Sequence, residues 1–535
     1  MPENPELSIR RFKKAKSNRG SWDSHWQDVA DYVLPTRSFV VTKNPGAKRR
    51  LRIYNSAAPE AAVSLASALD GMLTNTAIRW FEVLSDDNDV NEDRDAQAWL
   101  YDTTSRILAY LDSTDSGFAT AAHELYLDLV SFGTAVMLVR EHNGRLVYQA
   151  RQLSNIYLMT DDAGDLTDVY REFELPAWEA LEEFGDGVSE KCRKMAEEDT
   201  SRDRKIKMLH HVYRRTMRDE AKYDGENKPW GSAYIEIDNK HLSRYGGFDM
   251  NPYIVARWSR AAEESYGRSP AMQVLPTIRV LNAMAKTVLE AAEMAVRPPV
   301  MVSAGTIEGP IRTAPGSIMY VRQGTRDYPQ PFTSGARPDI GHEMMAREEE
   351  KVEQAFFLDR LRLPDNDRMT ATEIMERRQQ GLLIASPVLA RLYAEWLDPV
   401  ITRTYEWMQA RGMLLPAPEG VGGTGMRVHY VSPMAISRRA SQTQGFLQAM
   451  SAATPLIQTD PSVLQNLNAD LIFRSLMRAN NVDPKYLKSD RDVQQARMQQ
   501  AQQAAMQQQM AMAQQGASAA KDAATASREF SIAGQ

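Results

Sequence analysis

The sequence contains a single cysteine, Cys192, in 535 residues. One cysteine excludes an intrachain disulfide and any metal cluster held by several thiolates of the same chain. No apolar run approaches the ~18 residues that a membrane-spanning helix needs. The N-terminal segment carries charges without an apolar core, which argues against a secretory signal. We therefore expect a protein that stays in the cytoplasm where it is made, with Cys192 as a buried or incidental thiol.

Catalytic motifs are also missing from the sequence. The chain has no G-x-x-x-x-G-K-[ST] phosphate loop, and GVGGTG follows a predicted helix instead of joining a strand to a helix. His123 lacks a second histidine four residues on, and the neighbouring His210 and His211 would point to opposite faces of a strand. One acidic group could hold Mg²⁺ for nuclease chemistry, but without a basic or aromatic substrate cradle a solvated loop is favoured: Asp86, Asp87 and Asp89. We predict no catalytic, cofactor-binding or metal site.

Charge is distributed unevenly along the chain. The formal net charge of −6 argues against a protein whose main surface grips nucleic acid, since such binding depends on many Lys and Arg at phosphates. Residues 1–54 nevertheless carry twelve Lys or Arg against five Asp or Glu, and residues 82–95 carry seven acids and one Arg. Both stretches are typical of solvated surface, or they meet charges of opposite sign on neighbouring subunits or another particle component.

The periodicity of apolar residues predicts helices first and strands later. Helical spacing covers 22–33, 58–74, 94–110 and 118–131, with one strand at 79–85. From Ala135 the pattern becomes β-prone, and Asn143-Gly144 predicts a hairpin turn. Further strands are predicted within 207–217, 232–239 and 252–261, before helix returns. The fold class is therefore α+β and mainly helical.

Two long helices joined by a compact insert dominate the second half of the chain. Ser269 is a favoured N-cap and Pro270 suits the first helical position. That helix ends at Arg297-Pro298-Pro299, and a second begins near Ile340, so the two could pair as an antiparallel hairpin. The predicted packing residues follow steps of three and four: Val274, Ile278, Leu281, Val288, Ile340, Met344, Val352 and Phe356.

Several stretches resemble the head-to-tail connector, or portal, proteins of short-tailed double-stranded DNA bacteriophages. They are ESYGRSPAMQVLPTIRVLN at 264–282, RMTATEIMERRQQ at 368–380, VHYVSPMAISRRA at 428–440 and the tail rich in Gln, Met and Ala. Their order extends over nearly the whole chain. Residues 173–239 show no pattern of that family.

The resemblance implies a portal fold with wing, stem helices, clip and helical crown or barrel. It implies a ring of twelve subunits at one capsid vertex, through which the genome passes during packaging and ejection. By position, the parts are a wing at 1–269, a descending stem at 270–296, a clip at 297–338, a returning stem at 339–358, a tunnel loop at 359–369, wing helices and a strand at 370–440, and a crown or barrel with a Gln-rich tail at 441–535.

The tunnel loop is the segment expected to face DNA. Its basic and acidic side chains balance, which suits a sliding contact, although an ordinary polar turn on the outside of the ring is the alternative. The expected channel residues are Asp359, Arg360, Arg362, Asp365, Asn366, Asp367 and Arg368.

The resemblance also implies partners. They are the other ring subunits, double-stranded DNA in transit, the major capsid and scaffolding proteins, a terminase, a tail adaptor and internal core proteins, with no membrane and no cofactor. The protein would reside in the virion at a capsid vertex after assembly in the host cytoplasm. Two other functions remain: another capsid or scaffold component, or a DNA-processing packaging enzyme. The missing phosphate loop disfavours the packaging motor, and the globular composition disfavours a scaffold.

Overall fold

A computed structural model of the chain divides it into two compact units, one of Met1–Trp80 with Arg106–Met413 and one of Phe81–Ser105 with Leu414–Gln535. The residues that the structure describes are 4–37, 53–75, 78–219, 221–222, 224–302, 307–308, 320–321, 323–324, 330–331, 338–361, 387–418, 421, 426–430, 448–454, 469–479, 486–487, 492–507, 509–510, 512–513 and 517.

Helices and strands alternate in blocks along the chain. The helices are α1 Pro5–Asn18, α2 Gly20–Tyr32, α3 Ala57–Leu73, α4 Asn88–Glu92, α5 Arg94–Asp112, α6 Phe118–Phe132, α7 Ala177–Phe184, α8 Glu190–Glu197, α9 Pro270–Val296, α10 Pro338–Ala355, α11 Leu358–Leu361, α12 Asp398–Ala410 and α13 Ala469–Ala479. The strands are β1 Phe81–Ser85, β2 Thr134–His142, β3 Arg145–Arg151, β4 Ile156–Thr160, β5 Leu166–Pro176, β6 Lys205–Arg214, β7 Trp230–Glu236, β8 His241–Phe248, β9 Tyr253–Arg257, β10 Val300–Met301, β11 Ile307–Glu308, β12 Tyr320–Val321, β13 Gln330–Pro331 and β14 Met426–Tyr430. Within the described ranges, none of the helices has both the length and the apolarity to cross a bilayer.

The first unit contains a three-stranded sheet built on the predicted hairpin. Strands β2 and β3 pair in antiparallel register up to His142 and Arg145, and β9 pairs with the other edge of β2. Asn143 and Gly144 both have positive φ, 50° and 75°, as a two-residue turn between twisted strands requires. The hairpin prediction is confirmed.

A five-stranded antiparallel sheet in the order β4-β5-β6-β7-β8 spans residues 156–248, which include the segment 173–239 for which the sequence shows no family pattern. Helices α7 and α8 lie between β5 and β6 in the chain. Helix α1, which the sequence analysis does not predict, packs on this sheet through Ile9, Phe12 and Ala15. The rings of Phe12 and Tyr157 meet edge to face with centroids 5.0 Å apart.

The long helices α9 and α10 follow the sheets in the chain. Residues 387–397 then form a helix whose last turn, Tyr393–Leu397, is π-helical and runs directly into α12. Arg257 on β9 holds this turn through a bidentate pair with Glu395, at 2.8 and 3.0 Å. The first unit therefore joins its helices to its sheets through buried polar contacts as well as apolar packing.

The second unit contains one strand pair and several helices. Strand β1 pairs antiparallel with β14, with Phe81 opposite Tyr430. The indole of Trp99, on α5, donates to the carbonyl of Leu415 at 2.9 Å. Arg497 in the helix 492–507 makes two bonds of 2.7 Å to the Asp470 carboxylate of α13. These contacts connect sequence positions that lie far apart.

Candidate functional site

The start of α9 is fixed by the predicted cap. Ser269 is buried, its hydroxyl oxygen accepts from the Met272 N–H at 3.0 Å, and its O–H donates to the Ser131 carbonyl at 2.7 Å. The second bond ties the beginning of α9 to α6. The predicted N-cap is confirmed, and it also serves as a tertiary anchor.

The first half of α9 is buried in the first unit. Val274, Ile278 and Leu281 are all buried, and α9 packs against α2 and α6 there. Val288, two turns farther on, is half-buried. The predicted apolar seam is thus divided into a buried proximal part and a more open distal part.

Helices α9 and α10 pack together as an antiparallel pair. A Cβ added to Gly341 would lie 2.6 Å from Cγ2 of Val288, so this glycine lets the two helices approach closely there. Nearer the start of α9, the Tyr54 N–H donates to the side chain of Asn282 at 2.7 Å. The side-chain amide of Asn55 donates to Glu349 at 2.6 Å. Position 341 thus lies beside 288 and position 349 lies near 282, which is the antiparallel order. We call α9 and α10 together the stem hairpin.

The four packing residues predicted on the returning stem lie in two different environments. Val352 and Phe356 are fully buried, at 0% exposure. Ile340 and Met344, nearer the other end of the helix, are 50% and 53% exposed. The structure therefore buries Val352 and Phe356 in the core and leaves Ile340 and Met344 on the surface of the single chain.

Helix α9 also exposes apolar side chains on two opposite faces. Leu289 and Val296 are exposed and lie within about 60° of Val274 around the helix, on the distal part of the seam side. Val280 and Met294 are exposed and lie about 120–160° from Val274, on the face away from the seam. The sequence analysis missed these four residues because it followed one narrow stripe, whereas the helix is apolar beside and opposite that stripe.

Two nested strand pairs lie in the segment that joins the stem helices. Strand β10 pairs antiparallel with β13, and β11 pairs antiparallel with β12 farther along the segment. Four two-residue strands give little core of their own. The described part of this segment is therefore a narrow β extension between the two stem helices.

The predicted tunnel loop begins in helix. Residues Asp359 and Arg360 belong to α11, which follows a break at Phe357, where φ is +60°. The remaining predicted channel residues lie outside the described residues: Arg362, Asp365, Asn366, Asp367 and Arg368.

The histidine pair on β6 is structural in its contacts. His210 hydrogen-bonds the Tyr253 hydroxyl at 2.7 Å and the Ser232 hydroxyl at 3.0 Å, and burial lowers its pKa well below the ordinary value. His211 pairs with Asp168 at 2.9 Å. The two rings have different partners, as expected for opposite faces of a strand.

The other groups considered as possible sites also have local roles. Cys192 is buried on α8, and burial raises its thiol pKa to about 11. Asp87 caps α4 by accepting from the Asp89 N–H at 2.9 Å, and His123 lies 3.3 Å from Asp70. Among the residues whose positions are described, no group of three His, Cys, Asp or Glu is placed to hold a metal ion.

Comparisons with known proteins agree with the resemblance in the sequence. A family model described as "Bacteriophage head to tail connecting protein" matches residues 6–487. The "Probable portal protein" of Bordetella phage BPP-1 is 28% identical over 517 residues, which cover 94% of this chain and 92% of that protein. The "Portal protein" of Salmonella phage epsilon15 is 26% identical, over 93% of this chain and 91% of that protein. A solved virion structure of a native gene transfer agent particle aligns with a TM-score of 0.32 at 12% identity, covering 74% of this chain and 86% of that chain.

Proposed function

This chain belongs to the family of bacteriophage head-to-tail connecting proteins, and we propose from that premise that it is the portal protein of a phage capsid. The observation that carries the proposal is the family match, which extends over 6–487 of 535 residues. The two phage relatives that are called portal proteins support it, because each aligns with more than nine-tenths of this chain. The role is structural: the protein forms a passage for DNA and a place of attachment.

The protein acts as a ring, for which we propose twelve subunits. In a head-to-tail ring each subunit presents two different surfaces, one to each neighbour. The stem hairpin supports such an arrangement, because α9 exposes apolar side chains on two opposite faces. Ile340 and Met344 on α10 add to this surface. Neighbouring stems cover these side chains in the ring.

The parts of the chain take the positions of a portal subunit. Residues 1–269 form the wing, and α9 and α10 are the descending and returning stem helices. The segment 297–338 is the clip, and its nested strand pairs suit a narrow extension at the end of the stem. Residues 359–369 form the tunnel loop, 370–440 return to the wing, and 441–535 form the crown or barrel.

A passage for DNA needs weak attraction more than tight binding. The net charge of −6 keeps the chain from acting as a basic groove, whose counterion release would hold the duplex. The tunnel loop carries Arg362 and Arg368 together with Asp365 and Asp367, so its charges balance. DNA can then slide in either direction, during packaging and during ejection.

The clip faces the proteins that bind one after another at the capsid vertex. We assign it contact first with the terminase and later with the tail adaptor, whereas the wing meets the major capsid, scaffolding and internal core proteins. The assembled ring resides in the virion at one vertex, after assembly in the host cytoplasm.

The function is tested by assembling phage heads with and without this protein. A portal is needed for DNA entry and tail attachment, so heads that lack it should stay empty and tailless, and supplying the intact chain should restore both. Heads that fill with DNA in its absence would contradict the proposal and favour another capsid component.

A further inference from the structure

A small cavity lies where the two sheets of the first unit meet. Its volume is about 190 Å³, and its lining residues include Arg151 at the end of β3, Arg171 on β5, Gln152 and Asn155. Ile156 also lines it and is opposite Arg171 in the register of β4 and β5. Both polar and apolar groups line the cavity, and its only charged residues are these two arginines, so we call it the arginine pocket.

Among the described residues, no ion pair balances the positive charge around the arginine pocket. Within the described part of the chain, the ion pairs leave out Arg151, Arg171 and the nearby Arg140. The Nε–H groups of Arg151 and Arg140 are buried without an acceptor. Glu172, the residue after Arg171, is on the opposite face of β5 and pairs with Lys16 at 2.6 Å.

The groups around Arg151 disfavour its charged form. Burial, followed by the charges of Arg171 and Arg140, lowers the pKa of Arg151 to about 10. His210 is opposite Arg171 on β6, and burial keeps its pKa low, so that it stays neutral. Like charges brought together in a half-buried place cost stability unless an anion neutralises them.

We propose that the arginine pocket binds a small phosphate-class oxyanion. Guanidinium groups present planar pairs of donors that match the oxygens of such an anion, and the two amides can supply further donors. At about 190 Å³ the cavity is too small to admit a DNA duplex. This proposal is independent of the portal function, since it concerns only the first unit of a single chain.

The test is a titration of the purified full chain with inorganic phosphate, followed by calorimetry at low ionic strength. The wild type should bind one phosphate per chain, and Arg171→Gln should weaken binding by about tenfold or more, as expected when a hydrogen bond to a charged group is lost. Arg171→Lys keeps the positive charge without the planar pair of donors, so its affinity for phosphate should lie between those of the wild type and Arg171→Gln. Arg145→Gln is the matched control, because Arg145 is on β3 but is exposed and paired with Asp115 at 2.7 Å.

Thermal melting separates binding from folding in the same variants. Without phosphate, Arg171→Gln removes repulsion between like charges but also the contact of its guanidinium with the Phe173 ring, 4.4 Å from the ring centroid, so it should melt close to the wild type. Added phosphate should raise the melting temperature of the wild type and of Arg145→Gln, but hardly that of Arg171→Gln. The proposal is overturned if the wild type binds no phosphate or if Arg171→Gln binds it equally well. Displacement of the phosphate by a short DNA duplex would also overturn it, in favour of the DNA backbone as the occupant.

Discussion

The apolar side chains that the stem hairpin exposes should hold the ring together. Ile340 and Met344 are about half exposed in the single chain, at 50% and 53%. Complete burial of such a side chain is worth about 1.5–3 kcal/mol, so covering the exposed half contributes about 1 kcal/mol for each residue. The double variant Ile340→Gln/Met344→Gln should therefore lose about 2 kcal/mol at every subunit interface, or about 30-fold in each association constant.

Light scattering coupled to size exclusion measures this effect directly. The double variant should elute as small species at concentrations where the wild type forms rings, while far-UV circular dichroism and urea unfolding of the chain stay close to wild type. Met217→Gln is the control, because this substitution removes an apolar side chain outside the stem. Met217 is 90% exposed in the loop after β6. Rings that persist unchanged in the double variant would refute this account of the interface.

Three further predictions concern the stem, the wing and the channel. Ser269→Ala removes the cap of α9 and should lower the free energy of unfolding by about 1–2 kcal/mol, measured with urea. Burial raises the pKa of Asp128 to about 7, above its unfolded value, so the wild type should lose stability, on the order of 4 kcal/mol, as the pH rises from about 4 to 7. Asp128→Asn should flatten this pH dependence. If the stability of the variant and of the wild type falls equally steeply with pH, Asp128 is not the group responsible. Asp365→Lys with Asp367→Lys should leave ring assembly intact but impair DNA packaging, less so at higher salt, and unchanged packaging by rings within capsids would remove the loop from the channel.

Local signals in the sequence were sufficient wherever short-range chemistry decides the structure. The cap at Ser269 and the Asn143-Gly144 turn are both present, because each depends on a few neighbouring residues and a backbone conformation that those residues favour. The pairing of α9 with α10 also followed from their apolar spacing and the insert between them. Helix α1 could have been found from Asn4-Pro5 as cap and first residue, followed by the spacing of Ile9 and Phe12.

Contacts between residues far apart in the chain could not be predicted from the sequence. The charge pattern predicts that the basic N-terminal stretch is solvated or faces a neighbouring subunit or another particle component, yet Arg19 is 3% exposed and donates to the carbonyls of Leu153, Ser154 and Ile156. The local sequence of α1 and α2 gives no indication that Arg19 contacts acceptors so far along the chain. In the same way, periodicity placed Ile340 on a stripe with Val352 without showing that one is exposed and the other buried.

Electron micrographs of the purified protein test the central claim most directly. A portal subunit with an apolar stem surface should appear as closed rings with a central hole, of uniform subunit number, for which we expect twelve. A stable monomer of the chain mass, 60.3 kDa, at micromolar concentration over a range of salt conditions would contradict the portal assignment.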